Sequence, residues 1–260
     1  MAEQAKFLEG SLFRHITVMS LTSSLGLMAV FAVDFIDMIF ISMLGKAELA
    51  AAIGYAGAIL FFTASFGIGM AIAAGALVAR ALGSGDDRMA SRRAATSLLY
   101  GVIFGAIFAA AVWFNLRPLA ALMGASGETL DLAVDYLAII IPSLPLLIVG
   151  IVGSAILRAH GAARKAMNVT LIGGAINAVL DPILIFGLDL ELTGAALASV
   201  AARVGIAAAA FIPILRSYGG LARPTAAEFR LDFPASPDLP FPTELYPTEV
   251  QCVLLGICSG

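Results

Sequence analysis

The sequence predicts an all-α fold, a polytopic membrane helical bundle of six transmembrane helices with both termini cytoplasmic. Three observations carry that reading. Of the 260 residues, 60% are hydrophobic and only 13% are charged, against roughly 25% charged in ordinary soluble domains. The mean hydropathy is +0.98, and apolar stretches recur at lengths near the ~20 residues that cross a bilayer. The basic residues are distributed to match those stretches.

The first span is read at 16–43. The segment before it, MAEQAKFLEGSLFRHI, lacks a short apolar core followed by a small-residue cleavage site. The span is therefore a retained helix and not a signal peptide. GKAE at 45–48 separates it from the second span, 49–82, and GSGDDR at 83–88 introduces the third, 90–114. MGASGE at 123–128 precedes the fourth, 132–157, inside which Pro142 and Pro145 mark a kink or hinge. RAHGAARK at 158–165 leads to the fifth, 166–187, and GLDLE at 187–191 to the sixth, 193–215. Small residues in GIGMAIAAG (67–75), at Gly101 and Gly105, and in GGAINA (173–178) allow helices to approach closely.

The charges test this division. Lys6, Arg14, Arg80, Arg88, Arg92, Arg93, Arg158, Arg164, Lys165, Arg216, Arg223 and Arg230 fall on one side of a six-span chain. Only Lys46 and Arg117 fall on the other, and Arg203 lies within the sixth span. A wrong span count would have scattered these residues. The bias makes the basic side cytoplasmic and divides the chain into a cytoplasmic segment 1–15, a membrane bundle 16–215 and a cytoplasmic tail 216–260. That tail carries five prolines between positions 234 and 250 and no helical period, so it is expected to be irregular. The closing VLLGICSG is apolar but too short to span.

Several functions are excluded. Cys252 and Cys258 both lie near the C-terminus, and His15 and His160 are far apart, so neither a disulfide framework nor a structural metal is expected. GSGDDRMASRR lacks the GK[ST] ending of a phosphate loop. No cofactor and no nucleic-acid partner are expected; the partners are a small molecule and membrane lipid.

Three carboxylates inside the spans carry the chemistry: Asp34 and Asp37 in the first, Asp181 in the fifth. A charge at a helix centre costs about 2.5–3.5 kcal/mol on insertion scales, so such groups face a bundle interior or wet cavity and are functional candidates. Asp37 precedes the loop at Gly45 by about as many residues as Asp181 precedes Gly187. At the helical rise both carboxylates lie on the order of 10 Å below the outer end of their helices. Asn177 stands one turn before Asp181 on the same face. Pro182 removes the donor to the carbonyl of Ala178 and bends the helix, making it the expected helix hinge. Carboxylates, an amide and a loosened carbonyl suit a proton or Na⁺. Desolvation disfavours the charged form of a carboxylate, and a second carboxylate disfavours it further. Ser199 and Arg203 share the sixth span, Arg203 as a candidate counter-charge to the first-span acids.

VDFIDMIFISMLGKAELAAAI, SFGIGMAIAAGALVARALGSGDDRMASR and NAVLDPILIFG…LTGAALASVAAR resemble the N-terminal half of the multidrug and toxic-compound extrusion (MATE) family. N-x-x-x-D-P in the fifth helix is the most specific element. The resemblance, over roughly residues 10–220, implies one six-helix lobe of a twelve-helix antiporter that exchanges H⁺ or Na⁺ for drugs or organic cations. It also implies a multi-pass protein of the plasma membrane, the prokaryotic inner membrane, and not an enzyme. By motif position the implied cation site is Asp37, Asn177 and Asp181, with Ser199 where some members carry threonine and Val33 where some carry tyrosine. The chain ends after six helices, which leads us to expect a truncated or frame-shifted product, or a half that pairs with a second lobe or a homodimer partner. Two rival readings are a lipid-linked oligosaccharide flippase of related architecture and a non-transporting membrane fragment or assembly partner. The flippase is expected to line its cavity with several cations, whereas only Arg203 lies in a span.

Overall fold

The computed structural model describes residues 12–217, so the predicted segment 1–15 falls mostly, and the tail 216–260 almost wholly, outside it. Every described element is helical: α1 Leu12–Met43, α2 Ala47–Gly83, α3 Asp87–Phe114, α4 Leu116–Leu122, α5 Gly127–Ile140, α6 Leu144–Ala159, α7 Ala163–Pro182 and α8 Glu191–Ser217. A 3₁₀ turn, Ile141–Ser143, joins α5 to α6, and a π-helical turn, Ile183–Gly187, follows α7. Six stretches are long and apolar enough to cross a membrane: Ile16–Met43, Ala47–Gly83, Asp87–Phe114, Gly127–Ala159, Ala163–Gly187 and Glu191–Arg216. They coincide with the six predicted spans to within a few residues at each end.

One feature differs from the hydropathy reading, and a second falls at the kink expected from Pro142 and Pro145. The short helix α4 occupies what reads as a loop; seven residues are too few for a periodic signal, and Pro118 sits in the first turn, where proline is tolerated. The fourth span is two helices meeting at the 3₁₀ turn. Pro142 has no N–H, so the carbonyl of Ala138 loses its helical donor, and the indole Nε1 of Trp113 on α3 donates to it instead at 3.3 Å. The carbonyl of Ile140 accepts from the Ser143 hydroxyl at 2.7 Å. Side chains thus serve backbone groups that the break leaves open.

α6 is the centre of the bundle and packs against α2, α3, α7 and α8. Its Leu144, Ile148, Val152 and Ile156 are wholly buried, at the i, i+4 spacing of one helix face. Ile148 lies against Gly101 and Gly105 of α3, where an added Cβ would come within 3.1 and 2.6 Å of it. The Gly101–Gly105 pair is therefore an intramolecular notch for one isoleucine. On another side of α6, Gly150 receives Ile206 of α8, and Gly153 receives Ala210. These glycines set how closely the spans approach, because packing and not water-driven burial holds helices together in lipid.

α1 leans on α7, with only slight packing against α2. Gly26 faces Thr170, and Val33 Cγ2 lies 3.0 Å from where a Cβ on Gly174 would be. Between α2 and α3, Gly85 adopts φ +77°, the left-handed conformation that ends many helices. Asp86 then caps α3 by accepting from the Met89 N–H at 2.8 Å. At the opposite end of the spans, Lys46 pairs with Glu191 at 2.7 Å and Arg117 with Asp131 at 2.8 Å. The two basic residues that break the charge bias are thus each matched by an acid.

Candidate functional site

α1 and α7 bring the intramembrane acids together. Asp181 is wholly buried near the end of α7, and Asn177, one turn earlier, is buried beside it. Asn177 Nδ2 donates to Asp181 Oδ2 at 2.9 Å. The carboxyl groups of Asp37 and Asp181 share a hydrogen bond. A bond between two carboxyl groups needs one proton on the pair. Oδ1 of Asp181 is buried with no hydrogen-bond partner among the described residues. Asp34 stands one turn before Asp37 on α1, and its side chain lies outside the described structure.

Pro182 ends the regular ladder of α7. The N–H of Ile183 reaches back to Leu180, and that of Leu188 to Ile183 at 3.0 Å, so the chain tightens and then widens into the π-helical turn. Such turns in helices are frequent at functional sites. Gly194 at the start of α8 admits this turn: a Cβ there would meet the Leu184 carbonyl oxygen at 2.7 Å. Phe40 and Phe186, beyond the acids on α1 and the π-helical turn, meet edge to face at 6.0 Å.

α5 and α8 complete the cluster. Tyr136, buried on α5, shares a hydrogen bond with Ser199 on α8 and lies in the electrostatic field of Asp37, Asp181 and Arg203. Nη1 of Arg203 donates to the carbonyl of Ile140 and to Ser143 Oγ, each at 3.0 Å. Among the described residues its hydrogen bonds therefore go to the break in the fourth span. Ser199 and Arg203 are one turn apart, so α8 presents a hydroxyl and a cation to the same face of α5. Tyr136 is the site residue that sequence reading missed. In the sequence it stands near the start of the span read at 132–157, where the tyrosines of the interfacial belt concentrate, so nothing marked it.

Two carboxyl groups, an amide, a phenol and a hydroxyl in an apolar surround offer oxygen ligands to a proton or a small hard cation. Among the described residues no group of three or more His, Cys, Asp or Glu is placed to hold a metal ion.

The MatE family model matches residues 22–183, from α1 through Pro182 to the π-helical turn. The chain belongs to the MatE family. The matched segment contains Asp37, Tyr136, Asn177 and Asp181 and stops short of Ser199 and Arg203. Among MatE relatives, an FAD transporter of Shewanella oneidensis is 31% identical over 204 residues, covering 77% of this chain and 45% of the relative. The multidrug export protein MepA of Staphylococcus aureus is 30% identical over 206 residues, covering 79% and 46%. A MOP superfamily transporter from Pyrococcus furiosus superposes with a TM-score of 0.79 at 25% identity, over 88% of this chain and 50% of that one. A MATE in complex with MaD3S gives 0.79 at 25% identity, over 88% and 51%. The chain spans about half the length of the relatives it matches. With its six apolar helices, this MatE chain is a multi-pass membrane protein related to transporters and not to enzymes.

Proposed function

We propose that the chain forms one six-helix lobe of a secondary active antiporter that exports drugs or organic cations in exchange for H⁺ or Na⁺. Its termini are cytoplasmic, and it resides in the plasma membrane of a prokaryotic cell. The hydrogen-bonded pair Asp37 and Asp181 carries this reading. While one proton sits on the pair, the two carboxyl groups hold α1 against α7. Loss of that proton leaves two like charges side by side in an apolar surround, an arrangement that repels itself unless a cation enters. The incoming cation is either Na⁺ or the positive group of the cargo, with Asn177 and the Asp181 Oδ1 as ligands. The π-helical turn after Pro182 lets the end of α7 follow. A second lobe, or a second copy of the chain, supplies the other wall of the transport path.

The 30% identity to MepA supports a drug-like cargo. A flavin nucleotide is the second reading, supported by the FAD transporter relative and by the Arg203 guanidinium beside Tyr136, which could meet an anionic group. The test is dye efflux in a pump-deficient bacterial host expressing a two-lobed version, with flavin export measured in parallel. Asp37→Asn and Asp181→Asn should each abolish efflux; retention of efflux by both variants sinks the proposal. Efflux by a monomer of the present chain would overturn the need for a second wall.

A further inference from the structure

Away from the acids, α1, α2 and α6 enclose a groove of about 640 Å³. Along α2 it runs from Ile68 to Gly83, and along α6 from Ile151 to Ala159, with Met19 of α1 closing one side. At the helical rise, the α2 wall is about 22 Å long. The hydrocarbon of one leaflet is about 15 Å deep. The groove therefore begins at the ends of α2 and α6 and covers the depth of one leaflet.

Its lining is apolar except at that end. Arg158, in the last turn of α6, is the one charged residue on the wall among the described residues. It is half-buried, and its side chain has no hydrogen-bond or ion-pair partner among the described residues. Among the described residues no carboxylate lines the groove. A cationic cargo would meet an uncompensated positive charge there. An anionic amphiphile would match both parts, its apolar tail along Ile72, Ala76 and Ala155 and its charged head on the guanidinium.

We propose that this groove holds one acyl chain of an anionic phospholipid, whose phosphate is bound by Arg158. Arginine is suited to that phosphate because its planar fork donates two parallel hydrogen bonds. Arg80 leaves the same end of α2 on its exposed side and adds to the positive field at headgroup level. The bound lipid would wedge α1 away from α2, where the two helices pack only slightly. It would thereby become part of the bundle's wall.

The experiment uses the purified full chain in neutral detergent, with bound lipid counted by native mass spectrometry. Phosphatidylglycerol and phosphatidylcholine of identical acyl chains are offered together. The chain should retain phosphatidylglycerol about fivefold over phosphatidylcholine, the preference expected from one basic residue at the membrane surface. Arg158→Gln should reduce that preference to about onefold, while Arg158→Lys keeps most of it. Ala76→Phe, which fills the groove from its exposed side, should lower retention of both lipids. Glycerol phosphate and inorganic phosphate, which lack the chain, should not compete. Equal retention of the two lipids by the unsubstituted chain would overturn the proposal. So would an unchanged preference in Arg158→Gln, competition by glycerol phosphate, or displacement of the lipid by an organic cation.

Discussion

The guanidinium of Arg203, on α8, is hydrogen-bonded to the main-chain carbonyl of Ile140, at the end of α5. This contact bridges the sixth span to the break in the fourth. It places a cation next to Tyr136, which stands one turn before Ile140, reaches Ser199 and lies in the field of the paired acids. The site and the broken span are thus built on shared atoms.

Removal of the guanidinium should loosen that joint. Arg203→Ala deletes two hydrogen bonds from a charged donor, and bonds of that kind contribute about 1.5–3 kcal/mol each. The midpoint of thermal unfolding should fall by several degrees. Trp113, the sole tryptophan, donates to the Ala138 carbonyl on the same break, so its emission should shift in Arg203→Ala at temperatures where the chain is still folded. Arg203→Lys should recover part of the stability, since an ammonium lacks the planar fork. An unshifted Trp113 spectrum would show that the break does not depend on α8.

The paired acids should make the α1–α7 seam sensitive to pH. Asn177 on α7 is bonded to Asp181, and Tyr136 on α5 lies in the field of both acids, with Ser199 and Arg203 of α8 acting on Tyr136 in turn. As pH rises and the shared proton leaves, the two carboxylates repel. Spin labels at exposed Ser42 and Leu188 should then move apart by at least the about 1–2 Å of ordinary helix shifts. Asp37→Asn removes one of the charges and should leave the separation independent of pH. A pH-dependent distance that survives this substitution would assign the titration elsewhere.

Glycine positions should divide sharply. Gly194→Ala drives a methyl group into the Leu184 backbone, which cannot rotate away; overpacking of this kind costs about 1–3 kcal/mol. Gly57→Ala on α2 meets nothing within 4 Å, and alanine is about 1 kcal/mol better than glycine in a helix. Thermal unfolding should show the first substitution lowering stability and the second leaving it unchanged or higher.

The Lys46–Glu191 pair is half exposed on both sides, and such pairs are worth about 0–1 kcal/mol. Lys46→Ala should therefore change stability by less than about 1 kcal/mol, and the exchange Lys46→Glu with Glu191→Lys should restore whatever is lost. A larger loss would mean that the loop after α1 bears on the fold.

The spans were legible in the sequence because lipid imposes a length and a polarity on each helix, and charged residues then mark the ends. Asp37 and Asp181 were legible for the same reason: a carboxylate in such a run stands out, and the helical rise sets its depth. Tyr136 was not, because a tyrosine in LDLAVDYLAII satisfies the apolar pattern and only packing brings its hydroxyl to Ser199. Pro142 and Pro145 announced a break. That Arg203 would serve it from another helix depends on how the fourth and sixth spans pack, which neither segment encodes alone. The glycine notches were visible as close-approach sites, while their occupants, Ile148 and Ile206, are ordinary apolar residues until the bundle forms.

The slight packing between α1 and α2 has a mechanical meaning. α1 is braced by α7, its parallel companion four spans later, and Leu44 to Lys46 is a cord between two rods that hardly grip each other. Lengthening that cord would leave both rods in place. By its packing the first helix belongs with the fifth span, and its nearest neighbour in sequence stands across the gap.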